Sequence, residues 1–283
     1  MNPAQWFTEQ VPGAETAFSL KIKQKLHEEQ SPFQHLEIYE TETFGNLMVI
    51  DGCTMVSTRD NFFYHEMMSH PVLFTHPEPK KVWIIGGGDC GTLREVLKHP
   101  SVEHAVQIDI DERVTRLAEI YFPELCASNH DARADLKFID GIKWVKDAAP
   151  NSVDIIIVDS TDPIGPAEGL FGEDFYRDCY HCLSEHGMLV QQSESALYHM
   201  QLIGEMREAM SNSGLSHLQT LFFPQCLYPS GWWSATIAGK TALSAFRQQD
   251  CANKIFDTTY YNVDIHKAAM AQPEFFKKAF PLK

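Results

Sequence analysis

From about residue 80 onward, short and nearly unbroken apolar runs alternate with longer stretches of helical period. The runs at 82–85, 105–108, 136–139, 153–158 and 188–191 read as strands buried on both faces, and 92–98, 112–121, 141–147, 176–183 and 199–212 read as helices between them. Buried strands separated by helices predict a mostly parallel sheet covered on both sides, because a parallel crossover needs the length that a helix supplies. Two later runs, 218–223 and 232–238, have no long helix between them and predict an antiparallel hairpin at the sheet edge. Upstream, strand-like runs at 34–41, 45–50 and 54–58, with Asp51-Gly52 as a turn signal, predict a small antiparallel sheet. Residues 61–74 read as a helix and the Pro-rich 76–80 as a linker. The expected organisation is α/β, with an antiparallel β-domain over residues 1–60. A Rossmann-like domain follows over 61–283 and ends in a helical appendage.

Composition adds exclusions. With 283 residues, 44% apolar and 22% charged, the chain is ordinary globular material and large enough to need no disulfide or metal staple. No apolar run approaches the ~18 residues of a membrane span, and residues 1–10 lack the basic start and apolar core of a signal peptide. The expectation is a soluble, cytoplasmic protein. Lys plus Arg number 23 against 38 Asp plus Glu, a net charge of -15, and no basic cluster exists to neutralise nucleic-acid phosphates. The seven cysteines are scattered; Cys179 and Cys182 form C-x-x-C inside a helical stretch with no second pair, which suits reduced structural thiols better than zinc.

Gly86-Gly87-Gly88-Asp89-Cys90-Gly91 follows the first buried strand and leads into a helix, matching G-x-G-x-x-G. Gly86 and Gly88 are placed to let a nucleoside approach the backbone, and Asp109, near the end of the next strand, suits a ribose. In dinucleotide enzymes the following helix receives an anionic pyrophosphate, which Asp89 would repel. A cationic adenosyl ligand with a sulfonium centre fits that charge. Asp109, Asp111, Asp140, Asp159 and Asp162 join Asp89 at or just beyond the ends of four adjacent strands. Each alone also suits a cap or a turn, and Asp111 reads best as a helix N-cap. Gathered together they form a strongly negative crevice that suits a polycation.

These residues, with Asp140-Gly141, Asp159-Ser160-Thr161-Asp162-Pro163-Ile164-Gly165-Pro166, Tyr228-Pro229-Ser230-Gly231, Tyr64-His65-Glu66-Met67 and Tyr260-Tyr261-Asn262, resemble the aminopropyltransferase family over nearly the whole chain. The resemblance implies an N-terminal β-domain joined to a Rossmann-like domain of the class I methyltransferase type, in dimers or tetramers. It implies transfer of an aminopropyl group from decarboxylated S-adenosylmethionine to putrescine, giving spermidine and methylthioadenosine. By resemblance Asp159 is the proton acceptor, with Tyr64 beside it. His65, Asp89, Asp159, Asp162, Tyr228 and Gln192 match polyamine-binding positions. Gln34, Asp109, Asp140, Gly141 and Pro166 match positions that hold the methylthioadenosine moiety. His65 also suits an ordinary half-buried helix position, and Tyr228 to Gly231 a plain β-turn. Three departures stand out: Cys90 where the family has glycine, Asp109 where glutamate is common, and Cys226-Leu227 before Tyr228.

A sulfonium is already an activated electrophile, so neither metal nor resident cofactor is expected; the donor is a co-substrate. The small molecules are the expected partners, with no nucleic acid and no membrane. The glycines of the 165–172 segment suggest a gate over the substrates. Three alternatives share parts of this pattern: a methyltransferase using intact S-adenosylmethionine, a dinucleotide oxidoreductase and a polyamine-binding protein without catalysis. Within the family, agmatine, cadaverine or spermidine could replace putrescine.

Overall fold

The computed structural model describes residues 5–161 and 165–281. Five strands, β1 (Gln5–Val11), β2 (Thr16–Gln30), β3 (His35–Thr41), β4 (Asn46–Ile50) and β5 (Cys53–Ser57), form one antiparallel sheet in sequence order. The last three match expectation; β1 and β2 are additional. β2 is long and polar, with only Leu20 and Ile22 buried along it, and its register against β3 shifts twice, so its sequence lacks a sustained period of two. Charge pairing takes the place of apolar contact: Lys25 Nζ lies 2.6 Å from Glu37 across on β3 and 2.7 Å from Glu28 on its own strand.

The helix α1 (Asn61–Thr75) leads into the second unit, where β6 (Lys81–Gly86), α2 (Gly91–Leu97), β7 (His104–Asp109), α3 (Glu112–Tyr121), β8 (Ala134–Phe138), α4 (Gly141–Lys146) and β9 (Val153–Asp159) alternate. Then come a 3-10 turn at Gly165–Phe171, α5 (Glu173–Cys182), β10 (Leu183–Gln192), α6 (Met200–Asn212), β11 (His217–Pro224) and β12 (Trp232–Gly239). Three short helices, α7 (Gln248–Ala252), α8 (Val263–Ala269) and α9 (Glu274–Ala279), make up the C-terminal appendage. The seven-stranded sheet has the order β11-β12-β10-β9-β6-β7-β8. β10, β9, β6, β7 and β8 run parallel, and β11 and β12 add the expected antiparallel pair at one edge.

Alternate residues of the central strands feed two cores. Val82, Ile84, Ile155, Ile157 and Val190 pack with Met67, Met68 and Val72 of α1, while Trp83, Ile85, Ile156, Val158 and Leu189 pack with Phe175, Tyr176, Cys179 and Cys182 of α5. The C-x-x-C thiols are therefore core side chains, and no disulfide joins any of the seven cysteines. A third core joins the N-terminal sheet to α3, with Leu36, Ile38, Met48 and Ile50 against Val114, Leu117 and Phe122. Among the described residues no helix is long and apolar enough to cross a membrane.

All of α1 except Phe62 and Phe63 is buried, so its polar side chains must find partners inside the fold. Glu66 accepts hydrogen bonds from the backbone N–H groups of Thr259, Tyr260 and Tyr261 at 2.7, 2.9 and 2.7 Å. His70 Nε2 lies 3.1 Å from Glu95 Oε2 and ties α1 to α2. Arg247 donates to the carbonyls of Leu73 and His76 at the end of α1. Glu66→Ala leaves three backbone donors without their acceptor and should cost about 3 kcal/mol in urea unfolding, with amide protection at 259–261 lost first. Stability within about 0.5 kcal/mol of the parent, with protection intact, would contradict that role.

Candidate active site

The strand order β9-β6-β7 makes β6 the point where successive connections leave in opposite directions, the usual place for a crevice at the carboxyl ends of a parallel sheet. A cavity opens there. Its floor is the loop Gly86 to Asp89, with Asp109 and Ile110 at the end of β7, Asp140 and Gly141 at the start of α4, and Asp159, Ser160 and Thr161 at the end of β9. Gln34, Met48, Ile50 and Met55 reach it from the N-terminal sheet, Tyr64 from α1, Ala167 and Leu170 from the 3-10 turn, and Tyr228 from the loop before β12.

The glycines are there for close approach. A Cβ on Gly86 (φ +86°) would lie 2.2 Å from the carbonyl oxygen of Asp159, and Gly87 donates its N–H to that oxygen at 2.7 Å. A Cβ on Gly88 would lie 2.8 Å from Asp109 Oδ2, and one on Gly91 2.2 Å from the His65 ring. Cys90 adopts φ +68°, the left-handed backbone that favours glycine, yet its side chain is fully buried and its thiol donates to the Gly88 carbonyl at 3.6 Å. The departure from the family loop therefore leaves the turn in place.

Asp159 stands at the centre. Tyr64 Oη donates to its Oδ1 at 2.7 Å and Thr92 Oγ1 to its Oδ2 at 2.6 Å. Burial and the neighbouring Asp89 charge raise the Asp159 pKa, against the lowering pull of His65, Thr92 and Tyr64. Burial and Asp159 together push the Tyr64 phenol well up. Asp89 accepts the backbone N–H of Gly91 at 2.7 Å and has His65 Nε2 at 3.0 Å. Burial works to raise the Asp89 pKa, but His65 and the Gly91 N–H outweigh it and the net direction is down. For His65 burial pulls down, the Asp89 charge and hydrogen bond prevail, and the pKa is raised. His65 is buried behind Asp89 rather than half-exposed on its helix.

At the other end, Asp109 Oδ1 accepts the N–H of Asp111 at 2.8 Å, and burial pushes its pKa up to about 6, helped by Asp111 and Asp159. Asp111 caps α3 through the N–H of Arg113 at 3.0 Å, as expected; it also accepts from Ser31 Oγ at 2.6 Å and Gln34 Nε2 at 3.1 Å. That contact holds Gln34 at the cavity. Asp140 caps α4 through the N–H groups of Ile142 and Lys143 at 2.9 and 3.3 Å.

The structure thus gathers Gln34, Tyr64, Gly86, Gly88, Asp89, Asp109, Asp140, Gly141, Asp159 and Tyr228 around one cavity, with His65 behind it. Tyr228 packs edge-on against Tyr64 (5.8 Å) and Trp233 (4.8 Å), and its hydroxyl donates to the Met55 carbonyl at 2.9 Å. Gln192 is placed elsewhere. It is buried with its Nε2 on Glu194 Oε1 at 3.0 Å, and its Oε1 accepts from Glu194 N at 3.1 Å and Trp233 Nε1 at 3.2 Å. Asp162 lies outside the described residues, as does the side chain of Pro166 within the suggested gate. Thr92 and the methionines Met48 and Met55 escaped the sequence reading. A threonine inside a helix or a methionine in a strand carries no signal of its own.

A Rossmann-like, mostly parallel sheet of the class I methyltransferase type, with an N-terminal antiparallel β-domain completing the crevice, defines the class of this protein. The family description "Spermidine synthase tetramerisation domain" matches residues 5–57, and "Spermine/spermidine synthase domain" matches residues 61–248. The chain is 68% identical over 274 residues to a polyamine aminopropyltransferase of Methylococcus capsulatus, covering 97% of this chain and 96% of that one. It is 62% identical over 278 residues to one of Nitrosococcus oceani, covering 98% of each. Among solved structures it is similar to a spermidine synthase in complex with the transition state analogue AdoDATO, with TM-score 0.94 and 35% identity over 99% of this chain and 96% of that one. The spermidine synthase from Thermotoga maritima gives TM-score 0.93 and 35% identity, over 99% and 95%. This chain belongs to the spermine/spermidine synthase family.

Asp109 generates a pH prediction. Its carboxyl titrates near 3.8 in the unfolded chain and near about 6 in the fold. Between those values the folded protein holds a proton that the unfolded chain has lost, so stability falls as pH rises through the window. Asp109→Asn should remove that slope and leave the ligand-free protein about 2–3 kcal/mol more stable at pH 7. Urea unfolding at pH 4 to 7 checks it; parallel pH profiles for parent and variant would refute the assignment.

Proposed function

We propose that this chain transfers the aminopropyl group of decarboxylated S-adenosylmethionine to putrescine by direct displacement, giving spermidine and 5'-methylthioadenosine. The observation that carries this is the position of Asp159: on the cavity, between Tyr64 and Thr92, with Asp89 on the neighbouring loop raising its basicity. The family membership and the AdoDATO title of a similar structure support the same reading.

In this reaction Asp109 and Gln34 hold the ribose side, Asp140 and Gly141 the base, and the loop at Gly86 and Gly88 lets the nucleoside lie against the backbone. Asp89, oriented by His65, takes the propylammonium of the donor. The same negative charge repels the carboxylate of intact S-adenosylmethionine, which separates this reading from a methyltransferase. Asp162 pairs with the acceptor ammonium in the family resemblance, and Tyr64 and Tyr228 supply aromatic walls.

An alkylammonium has a pKa near ~10, so the attacking amine must lose a proton. Asp159 accepts it, aided by burial that raises carboxylate basicity and disfavours the ammonium. The free nitrogen lone pair forms the N–C bond, the C–S bond breaks, and its electron pair neutralises the sulfonium to a thioether. Alignment of nitrogen, carbon and sulfur contributes several kcal/mol. No metal or resident cofactor enters these steps. The N-terminal match points to a tetramer, and the small polar substrates to a cytoplasmic enzyme.

The test is methylthioadenosine release from decarboxylated S-adenosylmethionine with a panel of amines and no added metal. Putrescine should support release, intact S-adenosylmethionine should not replace the donor, and Asp159→Asn should lower kcat about 10³-fold. Preference for agmatine, cadaverine or spermidine would move the acceptor and keep the mechanism; release undiminished in Asp159→Asn would overturn the base.

A further inference from the structure

The carboxylate assigned as base has a second partner that faces no substrate. Thr92 lies in the first turn of α2, is fully buried, and does not border the cavity. Its Oγ1 donates to Asp159 Oδ2 at 2.6 Å, whereas Tyr64, which does border the cavity, donates to Oδ1 at 2.7 Å. We propose that Thr92 is a positioning residue for the transfer reaction: it holds Asp159 by one oxygen so that the other is presented to the attacking amine. This rests on the reading of Asp159 as the base.

Three observations make the contact more than helix packing. A threonine in a helix commonly turns its hydroxyl back onto the carbonyl one turn earlier, here that of Gly88. That carbonyl is already taken by Thr115 Oγ1 at 2.8 Å and faces the Cys90 thiol at 3.6 Å, so the Thr92 proton goes to Asp159 instead. Next, Gly87 bears no side chain where a Cβ would stand 3.0 Å from Asp159 Oδ2, so the hydroxyl reaches that oxygen unobstructed. Finally, Asp159 is anchored at its backbone as well, through its carbonyl and the N–H of Gly87 at 2.7 Å. Main chain, Oδ2 and Oδ1 each have a separate partner, and of these Thr92 is the one that can orient the carboxylate without competing with substrate for space.

The hydroxyl also suits both protonation states. It donates to Oδ2 while Asp159 is a carboxylate and keeps donating there, to the carbonyl oxygen, when Asp159 carries the amine proton on Oδ1. Valine fills the same volume and donates in neither state. A donor to a carboxylate favours its charged form, so removing it makes Asp159 harder to ionise. Activity that needs the carboxylate then requires a higher pH.

The experiment compares Thr92→Val, Thr92→Ser and Asp159→Asn in the full-length enzyme, with kcat and both KM values from pH 5.5 to 9.5. Thr92→Val should lower kcat about tenfold on the pH plateau. Its acidic limb should move to higher pH, and both KM values should stay within about threefold of the parent's. Thr92→Ser, which keeps the hydroxyl, should restore both rate and limb. In the Asp159→Asn background, Thr92→Val should add no further loss in kcat. A parental kcat and pH profile in Thr92→Val, beside a strongly impaired Asp159→Asn, would overturn the positioning role and leave the base assignment standing. Full activity in Asp159→Asn would overturn the base assignment itself. Equal loss in the serine and valine variants, with methylthioadenosine affinity intact by calorimetry, would show that the threonine methyl matters and the hydroxyl does not, and would also overturn it.

Discussion

The crowding of negative charge at the ends of β6, β7 and β9 is the constraint on which the rest of the site depends. Asp89, Asp109 and Asp159 share one cavity, and each lies within reach of another's field. Carboxylates this close and this sheltered raise one another's pKa, and a fold holding them against that tendency must offset the cost locally. Hydrogen-bond donors provide the offset unevenly. Asp89 receives an imidazole and a backbone N–H and ends below its ordinary value, while Asp109 ends near about 6 and Asp159 above its ordinary range. Neighbouring aspartates on one sheet are thereby driven apart in proton affinity, the condition for one to hold a cation while another takes a proton. A cation brought among these carboxylates would relieve the remaining repulsion, so the crowding itself favours positive charge.

Glycine makes the crowding geometrically possible. The loop after β6 passes so near β9 that a single methyl at Gly86 would collide with the main chain of Asp159. The same economy holds at Gly91, where the missing side chain is replaced by the His65 ring. Cys90 shows which glycine of the loop can be replaced. A left-handed residue other than glycine costs about 1–2 kcal/mol, and here the Cβ enters a buried space beside Gln107, whose Nε2 donates to the thiol at 3.5 Å.

How much of this was legible in the sequence follows from where each signal resides. The parallel sheet announced itself because its strands are buried on both faces and therefore continuously apolar. β1 and β2 did not, because Trp6 is 58% exposed and β2 is stabilised by ion pairs and bulges that break its alternation. The strand-end carboxylates could be located by counting from the apolar runs. Tyr64 and His65 could not: they come from a helix 95 and 24 residues away from the carboxylates they touch, and only the family resemblance pointed to them. Gln192 rests on the same resemblance. It stands at the end of β10 as expected, but Glu194 and Trp233 occupy both ends of its amide, and its side chain turns into the fold.

The helix α1 connects these levels. Successive residues of a helix point about 100° apart, so Tyr64, His65 and Glu66 fan across more than half its circumference. Each finds a different target: Asp159 at the end of β9, Asp89 in the glycine loop, and the backbone of the C-terminal appendage. An amphipathic helix could not do this, because one of the three directions would face water. The near-complete burial of α1 is therefore what lets a single rigid element set Asp159 and Asp89 together. It also explains why the appendage, remote from the chemistry in sequence, belongs to the active-site framework: without the Thr259–Tyr261 backbone against Glu66, the third direction of that fan would hold a buried charge with no partner.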